Sequence, residues 1–254
     1  MTSTKRFKLT IEYDGTNFAG WQRQDNAPSI QETLEDAITA FTGEPTILFI
    51  AGRTDAGVHA KGQVAHVDLP ERFDADTVRR AINAHVRPHP IVILKSEIVA
   101  SDFHARFDAV KRHYMYNIIN RPSPLTFDKH RAWHIKYPLN VELMEEAAQH
   151  LVGCHDFSTF RTVHCQAKSP VRTIDKIHIK QSGSSVSCFL TAPSFLHHQV
   201  RNIVGTLALV GSGKWKPQDV LTALEARDRR AGGPTAPSDG LYFMQVDYNT
   251  NHHL

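Results

Sequence analysis

The chain has 254 residues, of which 41% are apolar and 22% are charged, and its formal net charge is +3. This composition excludes an intrinsically disordered protein and suits one large domain or two modest ones. It also lacks the strongly basic balance that would by itself indicate a nucleic-acid-binding domain.

The cysteines are few and odd in number, namely Cys154, Cys165 and Cys188. Such a set argues against a disulfide framework and for a reducing compartment. The sequence has no apolar run of membrane-spanning length, and its N-terminus lacks the apolar core of a signal peptide. We therefore expect a cytoplasmic protein with no membrane partner.

The first half of the chain predicts four strands and two helices. Residues 5–13 alternate from Phe7 onward, which is typical of a strand with one buried face. A helix begins at Ser29, where Glu32 completes a capping-box pattern, and it stops at Gly43. The other elements expected in this half are strands over 45–50, 63–69 and 91–99 and a helix over 74–86.

The second half repeats this order loosely. The patterns predict strands over 113–119, 172–180, 185–192 and 241–248, and helices over 140–152, 195–210 and 217–226, the last with Pro217 in its first turn. Each half thus approximates β-α-β-β-α-β, which is the ferredoxin-like or split βαβ arrangement. We expect an α+β protein with mainly antiparallel sheets, a first domain over residues 1–107 and a second over 108–254. Ligand sites favour interfaces of this kind, so we expect a catalytic cleft between the two.

Residues 52–59 form the most informative stretch, a polar turn between two apolar runs. Asp55 follows Arg53 by two residues between glycines that permit a tight loop, so Arg53 would hold an acid-base or nucleophilic carboxylate ionised. Arg53 would alternatively contact phosphate or enter a base stack. On spacing alone the commoner alternative is a turn aspartate that caps its own backbone, beside a solvated arginine.

Other candidates lie in the second half. Tyr114 and Tyr116 share one face of a strand and are either half-buried strand aromatics or a stacking platform for a base. Arg201 lies near the start of a predicted helix, where a solvated arginine is the simpler interpretation. Nearby His197 and His198 would point about 100° apart on a helix, which disfavours a shared metal ion.

Two further motifs do not hold up. The set Cys154, His155, His164 and Cys165 matches none of the common spacings of structural zinc sites. Residues 211–214 read Gly-Ser-Gly-Lys, but Ala208 and Trp215 stand where a phosphate-binding loop needs Gly and Ser or Thr. We therefore predict no metal site and no nucleotide site.

Blocks distributed over almost the whole chain closely resemble the tRNA pseudouridine synthase A family. They are residues 11–15 (Ile-Glu-Tyr-Asp-Gly), 20–24 (Gly-Trp-Gln-Arg-Gln), 51–59, 62–64, 102–107 (Asp-Phe-His-Ala-Arg-Phe), Tyr114 and Tyr116, 156–157, 160–161, 197–205 and 240–242. Small departures are His113, where an arginine or aromatic residue is common, and Phe243, where leucine is common.

The resemblance implies a reaction and assigns residues to it. Asp55 matches the family's essential carboxylate, and Arg53 matches an arginine that fills the place of a flipped base and pairs with Asp55. Tyr114 matches a tyrosine that stacks on the uracil and that takes part in removing the C5 proton. Arg201 matches an arginine that pairs with Asp55, and Leu241 matches an apolar residue on the other side of the base.

The resemblance also implies a substrate and partners. The expected reaction is the isomerisation of uridine to pseudouridine at positions 38, 39 and 40 of the tRNA anticodon stem-loop, by a homodimer. It is redox-neutral, so no cofactor is expected. The competing hypotheses are a non-catalytic RNA-binding module, which would bind without isomerisation, and a zinc-dependent hydrolase, which would purify with stoichiometric metal.

Overall fold

A computed structural model of the chain describes residues 3–25, 27–163 and 165–249. The helices and strands are, in chain order, β1 (Thr4–Tyr13), α1 (Ile30–Thr42), β2 (Phe49–Ile50), β3 (His59–Pro70), α2 (Ala75–His85), β4 (Ile91–Val99), β5 (Ala109–Asn120), β6 (Trp133–Ile135), α3 (Val141–Gln149), β7 (Gly153–Asp156), β8 (Val171–Ile174), β9 (Lys176–Ser182), β10 (Ser185–Ala192), α4 (Gln199–Gly211), α5 (Pro217–Ala226) and β11 (Leu241–Tyr248). Within the described residues, no helix combines the length and apolar character that crossing a membrane requires.

The chain folds into two compact units. Unit 1 contains the described residues up to Val110 together with those from Tyr242 onward, and unit 2 contains Lys111–Leu241. Both units mix helices with sheets whose strands are mainly antiparallel, which confirms the expected mixed α and β class. The expected domain boundary between residues 107 and 108 stays a prediction. That prediction placed the last strand, β11, in the second domain, whereas Tyr242 and the residues after it belong to unit 1.

In unit 1 the sheet order is β4-β1-β3-β11, with β2 beside β3. β1 is antiparallel to both β3 and β4, whereas β11 is parallel to β3 and places Tyr242 opposite His59. The alternating face of β1 predicted from the sequence is buried, as are the apolar positions of α1 and α2. Burial of these apolar side chains supplies the main stabilising term of the unit.

The cap residues of α1 act as the sequence indicates, but the predicted capping box with Glu32 is only half formed. Ser29 is the N-cap of α1, and its hydroxyl accepts the backbone N–H of Glu32 at 3.2 Å. The Glu32 carboxylate accepts a hydrogen bond from Arg23 at 3.3 Å. Gly43 ends the helix in the left-handed region, with φ 81°.

In unit 2 the sheet order is β5-β10-β9, with β6 parallel to β5, and β7 and β8 form a separate antiparallel pair. α4 is buried on almost every side. Three short features differ from the sequence pattern. The strand predicted over 172–180 is two strands, because β8 pairs with β7 while β9 pairs with β10. β6 and β7 were not predicted.

The break between β8 and β9 lies at Asp175. Its backbone N–H donates to the carbonyl of Thr191 at 2.9 Å, and its carboxylate lies 3.0 Å from the ammonium of Lys111. Neither glycine nor proline marks this position. The local signal is a slip in the alternation, since Asp175 and Lys176 are consecutive exposed polar residues and Ile174 is out of phase with Ile177.

The predicted helix over 195–210 begins later, at Gln199. His198 has φ 62°, and the Gln199 side chain accepts the backbone N–H of Leu196 at 2.8 Å, so the preceding residues form a tight turn. His197 and His198 are therefore not in a helix, and their ring centroids lie 4.2 Å apart. The argument against a shared metal ion from helical geometry was wrong in its premise.

Candidate active site

The loop that carries Asp55 is held at both ends by its neighbouring strands. It connects β2 to β3, which pair with each other antiparallel. The N–H of Ala51 donates to Val64 at 2.8 Å, and the buried amide of Gln63 donates to the carbonyl of Gly52 at 2.8 Å. At the other end the N–H of Val58 donates to the carbonyl of Asp55 at 3.1 Å.

Thr54 anchors the centre of this loop. Its side chain is buried, and its hydroxyl lies 2.7 Å from the phenolic oxygen of Tyr13 at the end of β1. Burial raises the pKa of Tyr13 to about 12, although its hydrogen bonds with Thr54 and Gln63 act in the opposite direction. The phenol therefore stays protonated. A buried polar group that keeps its partner fixes the backbone around it, because losing the partner costs a desolvation penalty.

The segment before α1 forms the floor of the loop. Trp21 donates its N–H to the carbonyl of Thr54 at 3.0 Å, and Gly57 donates to Phe18 at 3.2 Å. Gly20 has φ 102°, and a Cβ built on it would lie 2.6 Å from the carbonyl oxygen of Thr54. Only glycine therefore allows the floor to approach the loop this closely.

Buried His59 connects the other end of the loop to the turn after β1. Its Nδ1 accepts the N–H of Gly15 at 3.1 Å and lies 3.2 Å from a carboxylate oxygen of Asp14. Its ring stacks on Tyr242, with centroids 4.8 Å apart. The first and last strands of unit 1 thus both support the loop.

The two predicted catalytic residues of unit 1 flank the anchored Thr54. The Asp55 side chain is half-buried, and the Arg53 side chain is exposed. Over the described part of the chain, the Arg53 guanidinium makes no ion pair with a carboxylate, that of Asp55 included. The ion pair expected between these neighbours is therefore not formed in this structure.

In unit 2, Tyr114 and Tyr116 lie on the same face of β5, but their surroundings differ. Tyr114 is half-buried and meets Phe195 edge-on at 5.1 Å. Tyr116 is fully buried, and its hydroxyl donates to the carbonyl of Pro237 at 2.7 Å. Burial raises the pKa of Tyr116 well above its ordinary value. Tyr116 is thus a structural residue, as the simpler interpretation of the pair proposed.

Arg201 and Leu241 are brought together by the loop over residues 234–240. Arg201 lies in the first turn of α4, donates through Nε to the carbonyl of Ala236 at 2.8 Å, and accepts that residue's N–H at 3.1 Å. Gly240 lies against the ring of Tyr116, where a Cβ would be 2.7 Å away. Buried Leu241 follows directly. Unit 2 therefore positions Arg201, Leu241 and the strand of Tyr114 around one loop.

A buried polar network supports this loop from below, and the sequence analysis did not single it out. The amide of Asn202 donates to Phe160 at 2.9 Å, and its oxygen accepts from Thr235 at 2.6 Å and from Arg229 at 3.1 Å. Burial lowers the pKa of Arg229. A signal was present, since Gln199, Asn202 and Thr206 recur at helical spacing as a row of polar residues on a largely apolar helix.

The rejected zinc set falls partly outside the described residues, because His164 is one of those not described. His155 has an ordinary role, since its Nε2 lies 2.9 Å from the carbonyl of Val152. The Gly-Ser-Gly-Lys sequence is the C-terminal end of α4 and the turn after it, where Gly213 has φ 74°. It does not open a helix, as a phosphate-binding loop would.

Comparison with known proteins assigns the class. The sequence profile of a family described as tRNA pseudouridine synthase matches residues 9–108 and 147–249. These ranges contain Arg53, Asp55, Arg201 and Leu241, whereas Tyr114 lies between them.

Individual relatives match along nearly their whole length, and each of the three described here carries the name tRNA pseudouridine synthase A. The protein of Paramagnetospirillum magneticum is 55% identical over 246 residues, covering 97% of this chain and 96% of its own. Those of Parvibaculum lavamentivorans and Afipia carboxidovorans are 56% and 57% identical, each over 96% of this chain and 99% of their own.

The fold and the comparisons thus define an RNA-modifying isomerase. The chain belongs to the tRNA pseudouridine synthase family, whose members convert uridine in tRNA to pseudouridine.

Proposed function

We propose that this synthase isomerises uridine at positions 38, 39 and 40 of the tRNA anticodon stem-loop, with Asp55 as the reactive carboxylate. The observation that carries the proposal is the Arg53-Thr54-Asp55 turn. Its middle residue is buried and hydrogen-bonded to Tyr13, while the side chains on both sides of it are at least partly accessible. A fixed backbone with an accessible acid is what positioned catalysis requires.

The reaction needs no oxidant and no cofactor. The C1′–N1 glycosidic bond breaks, the uracil turns, a C1′–C5 bond forms, and the proton lost from C5 is balanced by the proton gained at N1. The target base must leave its stack before the sugar can be reached. Asp55 acts in its ionised form, by attacking the ribose, by attacking the base, or as a base toward a glycal intermediate.

The remaining roles follow the family resemblance. Exposed Arg53 takes the place of the flipped base, which suits a guanidinium that holds no carboxylate among the described residues of the free protein. Tyr114 stacks on the uracil, Leu241 contacts its other face, and Arg201 pairs with Asp55. The edge-on contact with Phe195 would hold the Tyr114 ring in a fixed orientation.

We further propose a catalytic cleft between two ferredoxin-like halves. In support of this, Arg53 and Asp55 belong to unit 1, whereas Tyr114, Arg201 and Leu241 belong to unit 2. A site that uses all five residues must therefore draw on both units. The proposal includes a cytoplasmic homodimer, and the molar mass in solution by light scattering tests the dimer.

The test uses an unmodified tRNA transcript and maps pseudouridine by position. We expect Asp55→Asn to abolish product while tRNA affinity stays within about threefold, because removing one carboxylate charge leaves the phosphate contacts intact. Asp25→Asn, in an exposed turn of the same unit, is the matched control and should retain full activity.

Three results would contradict the proposal. Normal product formation by Asp55→Asn would remove the carboxylate from the mechanism. Product in another arm of the tRNA would redirect the substrate assignment. Binding by the wild-type chain without product would favour the RNA-binding module.

A further inference from the structure

The segment that connects β5 to β6, residues 121–132, forms a loop with a closed neck, called here the basic loop. The N–H of Arg121 donates to the carbonyl of Ile135 at 3.2 Å, and the carbonyl of Arg121 lies 2.9 Å from Nε2 of His134. The Arg121 guanidinium donates to the carbonyls of Ser123 and Pro124 at 3.3 and 3.1 Å. Compact loops of this shape often carry function.

The basic loop exposes one aromatic ring. Phe127 is 93% exposed, more than any other large apolar side chain among residues 3–25, 27–163 and 165–249. A fully hydrated phenyl ring gains nothing from the hydrophobic effect in the free protein. Exposed aromatic side chains next to cations are the groups on which single-stranded nucleic acids stack.

The charges of the basic loop favour an anionic partner. The loop contains three basic residues, Arg121, Lys129 and Arg131, and one acidic residue, Asp128. Lys129 and Arg131 are both exposed. Apart from Pro122 and Pro124, the other exposed positions of the loop are polar, so Phe127 is not part of the broad apolar patch that docking of a protein requires. One ring flanked by cations fits a base and its adjacent phosphates.

The basic loop also adjoins the candidate site residues of its own unit. Nδ1 of His130 lies 3.6 Å from a carboxylate oxygen of Asp239, two residues before Leu241. The same 234–240 loop accepts the hydroxyl of Tyr116 and the guanidinium of Arg201. RNA bound at Phe127 would thus be continuous with RNA whose target base reaches Leu241.

We propose that the basic loop is a binding site for the tRNA substrate, with Phe127 stacked on an unpaired base and Lys129 and Arg131 on the flanking phosphates. This inference rests on the proposed function, since it takes the anticodon arm as the RNA. The family profile does not extend over residues 109–146, which contain the whole loop.

The first experiment measures kcat and KM of Phe127→Ala on an unmodified tRNA transcript. We expect KM to rise about 5- to 50-fold with kcat within about twofold, because the ring contributes stacking and no chemistry. Phe127→Trp should restore the wild-type KM. Tyr137→Ala removes another exposed aromatic ring of unit 2, 47% exposed, and should leave both constants unchanged.

The second experiment measures the salt dependence of tRNA affinity for Lys129→Ala/Arg131→Ala. Loss of two phosphate contacts should reduce the slope of log K against log salt concentration by about 1.4 to 1.8. The control pair is Lys176→Ala/Lys180→Ala, two exposed lysines of β9. An equal reduction by both pairs would mean general attraction and would overturn the site.

Two other outcomes also overturn the inference. An unchanged KM for Phe127→Ala removes the stacking role, and a changed molar mass with an unchanged KM makes the loop a protein contact. Failure of the proposed function is distinguishable, because wild-type product would then map outside the anticodon arm whatever Phe127→Ala does to KM.

Discussion

Thr54 explains how a short polar turn becomes a fixed support for the side chain of Asp55. Three neighbouring residues alternate from exposed Arg53 through buried Thr54 to half-buried Asp55. The buried hydroxyl of Thr54 is hydrogen-bonded to the phenol of Tyr13, and the carbonyl of Thr54 accepts the backbone N–H of Trp21. The sequence identified the outer two residues by their chemistry, but the role of Thr54 depends on partners about 30 to 40 positions earlier in the chain.

Tyr13→Phe tests this support. The change removes a buried hydroxyl and leaves the Thr54 hydroxyl without that partner, so we expect a loss of about 1 kcal/mol in the free energy of unfolding. Because Asp55 loses its fixed position, kcat should fall about tenfold with KM unchanged. Tyr137→Phe, which alters an exposed phenol, is the control. An unchanged kcat in a destabilised Tyr13→Phe protein would restrict the contact to stability.

His66 makes the stability of unit 1 dependent on pH. The residue is buried, and its Nδ1 accepts the backbone N–H of Ala105 at 3.1 Å, which requires an unprotonated ring nitrogen. Burial, aided by Arg6 and His104, lowers the pKa of His66 from 6.5 to about 4.

The sign of the effect follows from the lowered pKa. His66 takes up a proton near pH 6.5 in the unfolded chain but only near pH 4 in the folded chain. The contribution of neutral His66 to the free energy of unfolding is therefore complete above pH 6.5 and is lost as the pH falls toward 4. The loss amounts to about 2–3 kcal/mol. His66→Asn keeps an acceptor without a titrating ring, and urea unfolding between pH 4 and 7 should show a flatter acid limb than the wild type. The exposed His85→Gln should follow the wild-type curve, and an acid limb of His66→Asn as steep as the wild type would refute the assignment.

At the level of elements, local signals predicted most of the fold. β4, β10, α5 and β11 have the bounds that the patterns indicate, because alternation, proline and glycine act within a few residues. The errors have two causes. The change of partner strand at Asp175 and the short strands β6 and β7 depend on pairing with distant residues, which local patterns do not record. The late start of α4 comes from a local turn that the Gln199 side chain closes.

The candidate site shows the same division. Asp55 and Arg53 stand out in one turn, and the strand pattern offered Tyr114 a stacking role as one of two alternatives. The roles of Arg201 and Leu241 came from resemblance to a family. The residues that hold them, such as Gln63 and Asn202, are buried amides whose partners are carbonyls elsewhere in the fold. A single sequence marks these residues as unusual polar positions without naming their partners.

β11 supports the loop that carries Asp55 through the side chain of Phe243. The side chain is fully buried, Phe243 is opposite Ala60 in the sheet, and its ring would contact a Cβ on Gly52 at 3.2 Å. We expect Phe243→Leu to cost about 1 kcal/mol, because it changes the shape of the core but keeps most of its apolar volume. Hydrogen exchange should quicken over residues 51–64 and remain unchanged in β9 and β10.

Phe189→Leu on β10 is the matched control, because that ring is 38% exposed in unit 2. It should leave the exchange of both regions unchanged. Faster exchange throughout both units of Phe243→Leu would show that the strand supports the whole molecule and has no selective role at the loop.

At the level of the whole molecule, the residues of the proposed site belong to both units. Unit 1 contains the anchored turn with Arg53 and Asp55, and unit 2 contains Tyr114, Arg201, Leu241 and the basic loop. The unit with the proposed reactive acid is stabilised by strand pairing and a buried phenol. Unit 2, which we propose to bind the RNA, places these residues around loops. Residue types can vary in loops without disturbing a sheet.

The return of β11 to unit 1 has a consequence for the order of events during synthesis. Unit 1 begins at the start of the chain, but it is completed by Tyr242 and the residues that follow. At typical translation rates of about 5–20 residues per second, this last strand is synthesised roughly 7–28 s after Val110. Until then β3 lacks its parallel neighbour β11, so a ribosome-bound chain carries the turn of Asp55 without the support of that strand. If Asp55 is the reactive carboxylate that we propose, activity therefore depends on a strand made more than 130 residues after Val110.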